Sequence, residues 1–175
     1  DWTGGGTENH RLMRWSNGFL LAQFFGGQWL PFLGEETRWE AMRLMTDLKA
    51  KLMAEGRFRY QNGGTSEYLS PAYLMSHVIP LLNLYDFAED ADLRAAAEAL
   101  LHFHLTHLAL NAHQGYILEP HARFHGLQYT SGSNTALAGQ FLTWIYFGHM
   151  DPSGELLVGK GRDIIHPALS KFRLL

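Results

Sequence analysis

The sequence contains no cysteine, which excludes disulfide bonds and metal sites built from thiolates. It also contains no uninterrupted apolar run of about 18 residues, the length that a membrane-spanning helix requires. Basic residues form no cluster, and 14 Lys and Arg stand against 17 Asp and Glu, for a net charge of −3. We therefore expect neither a membrane span nor a nucleic-acid partner, while the redox compartment stays open.

What the sequence does contain is typical of a globular protein. Of its 175 residues, 46% are hydrophobic and 18% are charged, which is enough for one domain with a sizeable core. The chain starts at Asp1 with no signal-peptide pattern and stops shortly after a helix-like start. We therefore treat residues 1–175 as a single domain and expect it to be a fragment of a longer chain.

Hydrophobic periodicity predicts a series of helices separated by loops. Gly56 is expected to end the second helix, and Ser70 to cap the third, whose interior Pro80 should kink it. A sixth helix is expected to begin at His166. The five main helices are predicted at residues 10–26, 35–55, 71–88, 90–112 and 134–149.

Charge alternates along this series of helices. The first, third and fifth carry few charged residues, whereas the second and fourth carry more. A helix that is apolar all round is buried, and one with a polar face lies outside. This alternation predicts an all-α fold, an incomplete (α/α) toroid of helical hairpins with alternating inner and outer helices, although a five-helix bundle is an alternative. On the second helix the predicted core stripe is Trp39, Met42, Met45, Leu48 and Leu52.

In such an array all inner helices point the same way, so the loops that precede them share one face. These loops are residues 1–10, 56–70 and 114–133, and they hold most of the polar residues of chemical interest. The positive ends of the inner helices favour anionic ligands at this face.

Asn9, His10 and Tyr68 form the first candidate site. A histidine can accept a proton near neutral pH, a tyrosine can donate one, and an asparagine can bind a carboxyl group. Together they suit proton abstraction beside a carboxylate, with Arg123 as the nearest cation. The bland alternative is that Asn9 caps a helix, His10 lies at the surface and Tyr68 packs in the core.

Two further sets of residues give other interpretations. Glu8, Glu67 and Glu119 could supply the acid pair of a glycoside hydrolase, or could simply complement helix dipoles. In the segment His121–His125, alternation places both histidines and Arg123 on one side, where they could bind a carboxylate or sulfate or form a structural salt bridge.

The fourth helix carries three closely spaced histidines. His104 and His107 share a helix face, but His102 points away from them, and no acidic residue completes a zinc set. We therefore expect packed or solvent-facing histidines and no metal.

Three short motifs resemble a known family. They are TENH at residues 7–10, SEYLSPAY at 66–73 and LLNLYDFA at 81–88. They are similar to the toroid domain of heparinase II/III-like and alginate-lyase-type polysaccharide lyases, and also resemble a wider group of uncharacterised bacterial toroid proteins. The resemblance implies that Asn9 neutralises a uronate carboxyl group and that His10 and Tyr68 transfer protons. Tyr73 is a second candidate for the tyrosine that faces the substrate.

The expected function is thus a bacterial polysaccharide lyase that cleaves a uronate-containing glycan by β-elimination. A glycoside hydrolase and a non-catalytic carbohydrate-binding toroid are the alternatives. The resemblance implies an acidic polysaccharide as partner, a periplasmic or secreted location and no cofactor. The substrate-binding residues would be Glu8, Glu67, Tyr73, His121, Arg123 and His125.

Overall fold

The computed structural model describes residues 6–27, 35–67, 70, 73–113, 116–117, 137–148 and 165–174. Of these described residues 81% are helical, which confirms the predicted all-α class. The helices are α1 (Glu8–Gly27), α2 (Glu35–Gln61), α3 (Leu74–Phe87), α4 (Ala91–Asn111), α5 (Leu137–Phe147) and α6 (Ile165–Leu169). The strands β1 (Ala112–His113) and β2 (Tyr116–Ile117) form one short antiparallel pair.

The first four helices form two antiparallel hairpins, with α1 and α3 packed side by side in parallel. At their C-terminal ends, the Gln23 side-chain amide donates to the Phe87 carbonyl over 2.9 Å and accepts from the Glu89 backbone N–H over 2.8 Å. None of the helices that the structure describes is both long and apolar enough to cross a membrane.

The core is built mainly from leucines of α1 to α4. Helices α3 and α4 each contribute six buried hydrophobic residues to this core, and the buried residues of α3 occur on nearly every side of the helix. Each fully buried Leu or Phe contributes about 1.5–3 kcal/mol through the hydrophobic effect. Core residues include Leu12, Phe19, Leu48, Leu52, Val78, Leu81, Leu82, Leu84, Leu93, Leu101, Leu105, Leu108 and Leu142.

The predicted end of the second helix at Gly56 is wrong. The helix α2 continues to Gln61, and Gly56 is buried inside it. A Cβ at this position would lie 3.1 Å from Cδ1 of Leu100 on α4. The glycine therefore allows α2 and α4 to approach each other closely and does not terminate the helix.

The predicted apolar stripe on α2 is correct in part. Leu48 and Leu52 are buried in the core and Met45 is half-buried, but Met42 is 51% exposed. Met42 lines an open groove of about 360 Å³ and does not face the core. The side chain of Trp39 lies outside the part of the chain that the structure describes.

The start of α3 differs from the prediction in how it is capped. The N-cap residue is Tyr73, which makes no capping hydrogen bond through its side chain. Ser70 acts through its backbone carbonyl, which accepts from Leu74 N over 2.9 Å and from Tyr73 N over 3.1 Å. The buried Ser70 hydroxyl has no hydrogen-bond partner among the described residues. Pro80 is buried in the interior of α3.

The C-terminal segment packs against α3, α4 and α5. The Lys171 backbone N–H donates to the Asp86 carboxylate over 2.9 Å, and Phe172 is fully buried. The rings of Tyr85, His102 and Tyr146 surround the Phe172 ring, with centroid distances of 5.5, 4.9 and 5.9 Å. Phe172 thus closes the core at this end of the described chain.

The start of α4 is fixed by an acidic cap. The carboxylate of Asp90 accepts from Leu93 N over 3.0 Å and from Lys49 Nζ over 2.6 Å. Burial acts to raise the pKa of Asp90, but the hydrogen bonds from Lys49 and Leu93 outweigh it and lower that pKa. This end of the fold therefore relies on a partly exposed ion pair.

Candidate functional site

The candidate site lies at the opposite end of the hairpins, where α1 and α3 begin and α2 ends. We call this region the polar end and define it by Glu8, Asn9, His10, Glu55, Arg59, Glu67 and His77. Among the predicted site residues, the structure brings Glu8, Asn9, His10 and Glu67 to the polar end. Tyr68, His121, Arg123 and His125 lie outside the described residues.

Glu8 ties the start of α1 to the loop after α2. Its Oε2 atom accepts from the Ser66 backbone N–H over 2.8 Å and from the Ser66 hydroxyl over 2.9 Å. The carboxylate also lies in the first turn of α1, where it complements the helix dipole. Both contacts give Glu8 a structural role at the polar end.

Asn9 and His10 share the hydroxyl of Thr7. The buried Asn9 accepts through Oδ1 from the His10 backbone N–H over 2.8 Å and from the Thr7 hydroxyl. The Thr7 oxygen lies 2.6 Å from His10 Nδ1. Because the single Thr7 hydrogen goes to Asn9, Nδ1 must be the donor to Thr7. The neutral His10 ring thus carries its lone pair on Nε2, on an exposed side chain.

The side chain of Arg59 forms hydrogen bonds with three other residues of the polar end and is only 1% exposed. Its Nε and Nη2 atoms donate to Glu55 Oε1 over 3.2 and 3.1 Å. Nη2 also donates to the Glu8 backbone carbonyl over 3.1 Å, and Nη1 lies 3.0 Å from His77 Nδ1. Burial lowers the pKa of Arg59 and Glu55 partly restores it, but an arginine stays charged at any ordinary pH.

The charge of Arg59 is balanced by Glu55. Oε1 of Glu55 also lies 3.2 Å from Nη2 of Arg11. Two guanidinium groups, one from α1 and one from α2, therefore share this carboxylate. A buried charge is tolerated only when it is paired and hydrogen-bonded in this way.

His77 connects Arg59 to Glu67. Since arginine has no acceptor, His77 Nδ1 must accept, which places the ring hydrogen on Nε2. Nε2 then donates to Glu67 Oε2 over 3.2 Å. Burial and, next, the charge of Arg59 lower the pKa of His77 to about 2, in spite of the neighbouring carboxylate. His77 is therefore a neutral bridge and not a base.

His104 on α4 packs beside this bridge. Its ring stacks on that of His77 with a centroid distance of 6.0 Å, and burial lowers its pKa to about 3. Its buried Nε2 atom has no hydrogen-bond partner in the part of the chain that the structure describes. His102 packs on Phe172 and His107 on Phe103, and the described residues contain no group of three metal-ligating side chains close enough to hold an ion.

Sequence reasoning missed the two residues that organise this region. Arg59 follows Gly56, at which the second helix was predicted to end, so it was assigned to a loop. His77 is the only imidazole in α3 and lies in an apolar stretch of that helix, which was the signal for a buried, hydrogen-bonded role. Tyr73 lies half-buried at the N-cap of α3, and nothing in its placement decides between it and Tyr68.

No known protein family, curated protein or solved structure matches this chain.

Proposed function

We propose that this chain is part of an α/α-toroid polysaccharide lyase that cleaves a uronate-containing acidic glycan by β-elimination. One observation carries the proposal. Thr7 orients His10 so that the lone pair of an exposed imidazole lies on Nε2, next to Asn9 at the positive end of α1. An exposed imidazole with a free lone pair at the positive end of a helix is what a proton acceptor beside a bound carboxylate requires.

The toroid part of the proposal draws support from the packing of the helices. The charge-poor helices α1 and α3 run parallel and in contact, and each is paired with a more charged antiparallel helix. Further hairpins added in the same sense would continue a ring with α1 and α3 on its inside. The polar end would then lie on the face where the inner helices begin.

The reaction needs a base, a group that stabilises negative charge and an acid. His10 Nε2 would take the proton from the carbon that bears the carboxylate, and the electron pair of that C–H bond would form a C=C bond as the glycosidic C–O bond breaks. The N-terminus of α1 would stabilise the charge that develops on the carboxylate. Asn9 is 2% exposed and its Oδ1 already accepts from His10 and Thr7, so its carboxylate-binding role rests on the sequence resemblance alone. From the sequence, Tyr68 is assigned to protonate the leaving oxygen and Arg123 to bind the substrate.

The hydrolase alternative has less support at the polar end. The Glu8 carboxylate already accepts two hydrogen bonds from Ser66, and Glu67 is 3% exposed with His77 bound to it. A paired-carboxylate mechanism requires both acids to face a substrate. We therefore keep the hydrolase as an outcome of the test.

The test is the absorbance of the unsaturated uronate product on alginate, heparan-type, chondroitin-type and ulvan-type polymers. A rise on one polymer that His10→Ala and Tyr68→Phe abolish, and that His107→Ala leaves intact, is the expected result. New reducing ends without a rise in absorbance would replace the lyase by a hydrolase. Glycan binding without either product would leave a carbohydrate-binding toroid.

A further inference from the structure

Arg59 contacts both sides of the candidate site at once. Its Nη2 donates to the Glu8 carbonyl, one residue before Asn9, and its Nη1 donates to His77, which donates to Glu67. We propose that Arg59 and His77 are positioning residues that fix the spacing between the Asn9–His10 pair and Glu67. The proposal rests on the proposed function, which assigns proton transfer to His10 at one end of this spacing and to Tyr68, the residue after Glu67 in the sequence, at the other.

The planar guanidinium is suited to this task. Three of its hydrogen-bond directions point to three different segments, namely Glu55 on α2, the first turn of α1 and His77 on α3. A lysine ammonium is a single point charge and cannot reach all three in fixed directions. The relative position of the three segments therefore depends on the shape of the arginine as well as on its charge.

The hydrogen bonds also have a fixed direction. Arg59 can only donate, so His77 accepts at Nδ1 and donates at Nε2, and Glu67 receives the last hydrogen bond. A rotated His77 ring or the other tautomer would place two donors or two acceptors face to face. The Glu67 carboxylate is consequently held in one orientation.

Stability alone is a weak reason for such a network. Replacing buried ionic groups by well-packed apolar side chains of similar volume is often neutral or stabilising. What apolar side chains cannot reproduce is a set of directed bonds that fixes two loops relative to each other. Small displacements of reacting groups reduce turnover strongly, so positioning is the function that this network fits.

The experiment begins with the tautomer of His77 in the 15N-labelled chain, measured by long-range proton–nitrogen NMR. We expect hydrogen on Nε2 and none on Nδ1. A hydrogen on Nδ1, or a doubly protonated ring at pH 7, would overturn the proposal whether or not any glycan is cleaved. The same spectra report the ring signals of His10.

Four variants then separate positioning from simple structural support. Arg59→Lys keeps the positive charge but loses the planar guanidinium with its several donors. His77→Gln keeps one hydrogen-bond acceptor and one donor. His77→Leu removes both, and Arg57→Lys is the matched control, since Arg57 lies exposed on the same helix. If Arg59→Lys fails to fold, the comparison of His77→Gln with His77→Leu still decides.

On the polymer that the wild type cleaves, we expect Arg59→Lys and His77→Leu to lower kcat roughly 10- to 100-fold, with KM changed much less. His77→Gln should retain most of the activity, and both losses should accompany shifted His10 signals. Equal activity of His77→Leu and His77→Gln with unshifted His10 signals would reject positioning. If the wild type cleaves no glycan, shifted His10 signals in Arg59→Lys but not in Arg57→Lys would uphold the positioning network and reject only the lyase.

Discussion

Nη1 of Arg59 lies 3.0 Å from Nδ1 of His77, and this contact determines which nitrogen of the buried imidazole carries its hydrogen. A protonated His77 would place a second donor against a guanidinium in a site without water access. The tautomer of one residue on α3 is thus set by a residue on α2, while burial and, next, the charge of Arg59 keep the ring neutral by lowering its pKa.

Acid should destabilise the fold through the two buried histidines. An unfolded histidine titrates near pH 6.5, whereas the folded pKa values of His77 and His104 are lowered to about 2 and about 3. Below pH 6.5 the unfolded state binds more protons, so the stabilisation is fully present above that pH and is lost as pH falls toward 3. Each histidine should cost about 2 kcal/mol between pH 7 and pH 5.

Urea unfolding followed by circular dichroism at pH 7 and pH 5 measures this loss. The variant His77→Gln, which cannot take up a proton, should show a smaller difference between the two pH values. A free energy of unfolding that stays constant over this interval would contradict the buried neutral histidines.

Removing the Glu8 carboxylate should release the loop after α2. Glu8→Ala deletes both hydrogen bonds to Ser66, and bonds of this charge-assisted kind, partly exposed, contribute about 1–2 kcal/mol. Amide hydrogen exchange at Ser66 should accelerate, while Glu40→Ala at an exposed position of α2 should have no effect. Unchanged protection of the Ser66 amide in Glu8→Ala would show that Glu8 does not hold this loop.

Phe172→Ala should be among the most destabilising substitutions near the C-terminus. It removes a fully buried ring from contact with three aromatic side chains and leaves a cavity, which typically costs about 3–5 kcal/mol. Leu169→Ala, three residues away and 78% exposed, should change stability by less than about 0.5 kcal/mol. Thermal unfolding of the two variants makes the comparison, and equal effects would refute the docking of this segment.

Asp90→Ala should weaken the start of α4 by about 1 kcal/mol, because it removes an N-cap acceptor. Asp92→Ala, whose carboxylate is mostly exposed, should have little effect. Asp90→Asn keeps the cap and should fall between them. Chemical denaturation at low salt gives the order, and a larger loss in Asp92→Ala than in Asp90→Ala would reverse our assignment of the cap.

Much of the helical architecture was predictable from hydrophobic periodicity. The patterns located the six helices that the structure describes, the five longer ones from apolar residues that recur at helical spacing and the sixth from its start near His166. The prediction at Gly56 was wrong because a glycine can have two roles in a helix that look the same in the sequence. It can end the helix, or it can leave space for a side chain of a neighbouring helix, as Gly56 does for Leu100. Only the packing of α2 against α4 distinguishes the two.

The candidate site was predictable in its outer parts only. Glu8, Asn9 and Glu67 belong to short motifs in loops before helices, where polar side chains stand out. Arg59 and His77 acquire their roles from contacts between segments 18 residues apart. A sequence pattern along one helix carries no information about such contacts.

The two ends of the hairpins are held by different physical means. The polar end depends on histidines that must stay uncharged, whereas the Lys49–Asp90 end depends on an ion pair that water reaches. Mild acid and added salt should therefore loosen opposite ends of the same four helices. Acid and salt are therefore two independent controls over one small fold. Mild acid should open the region around His10 without disturbing the start of α4.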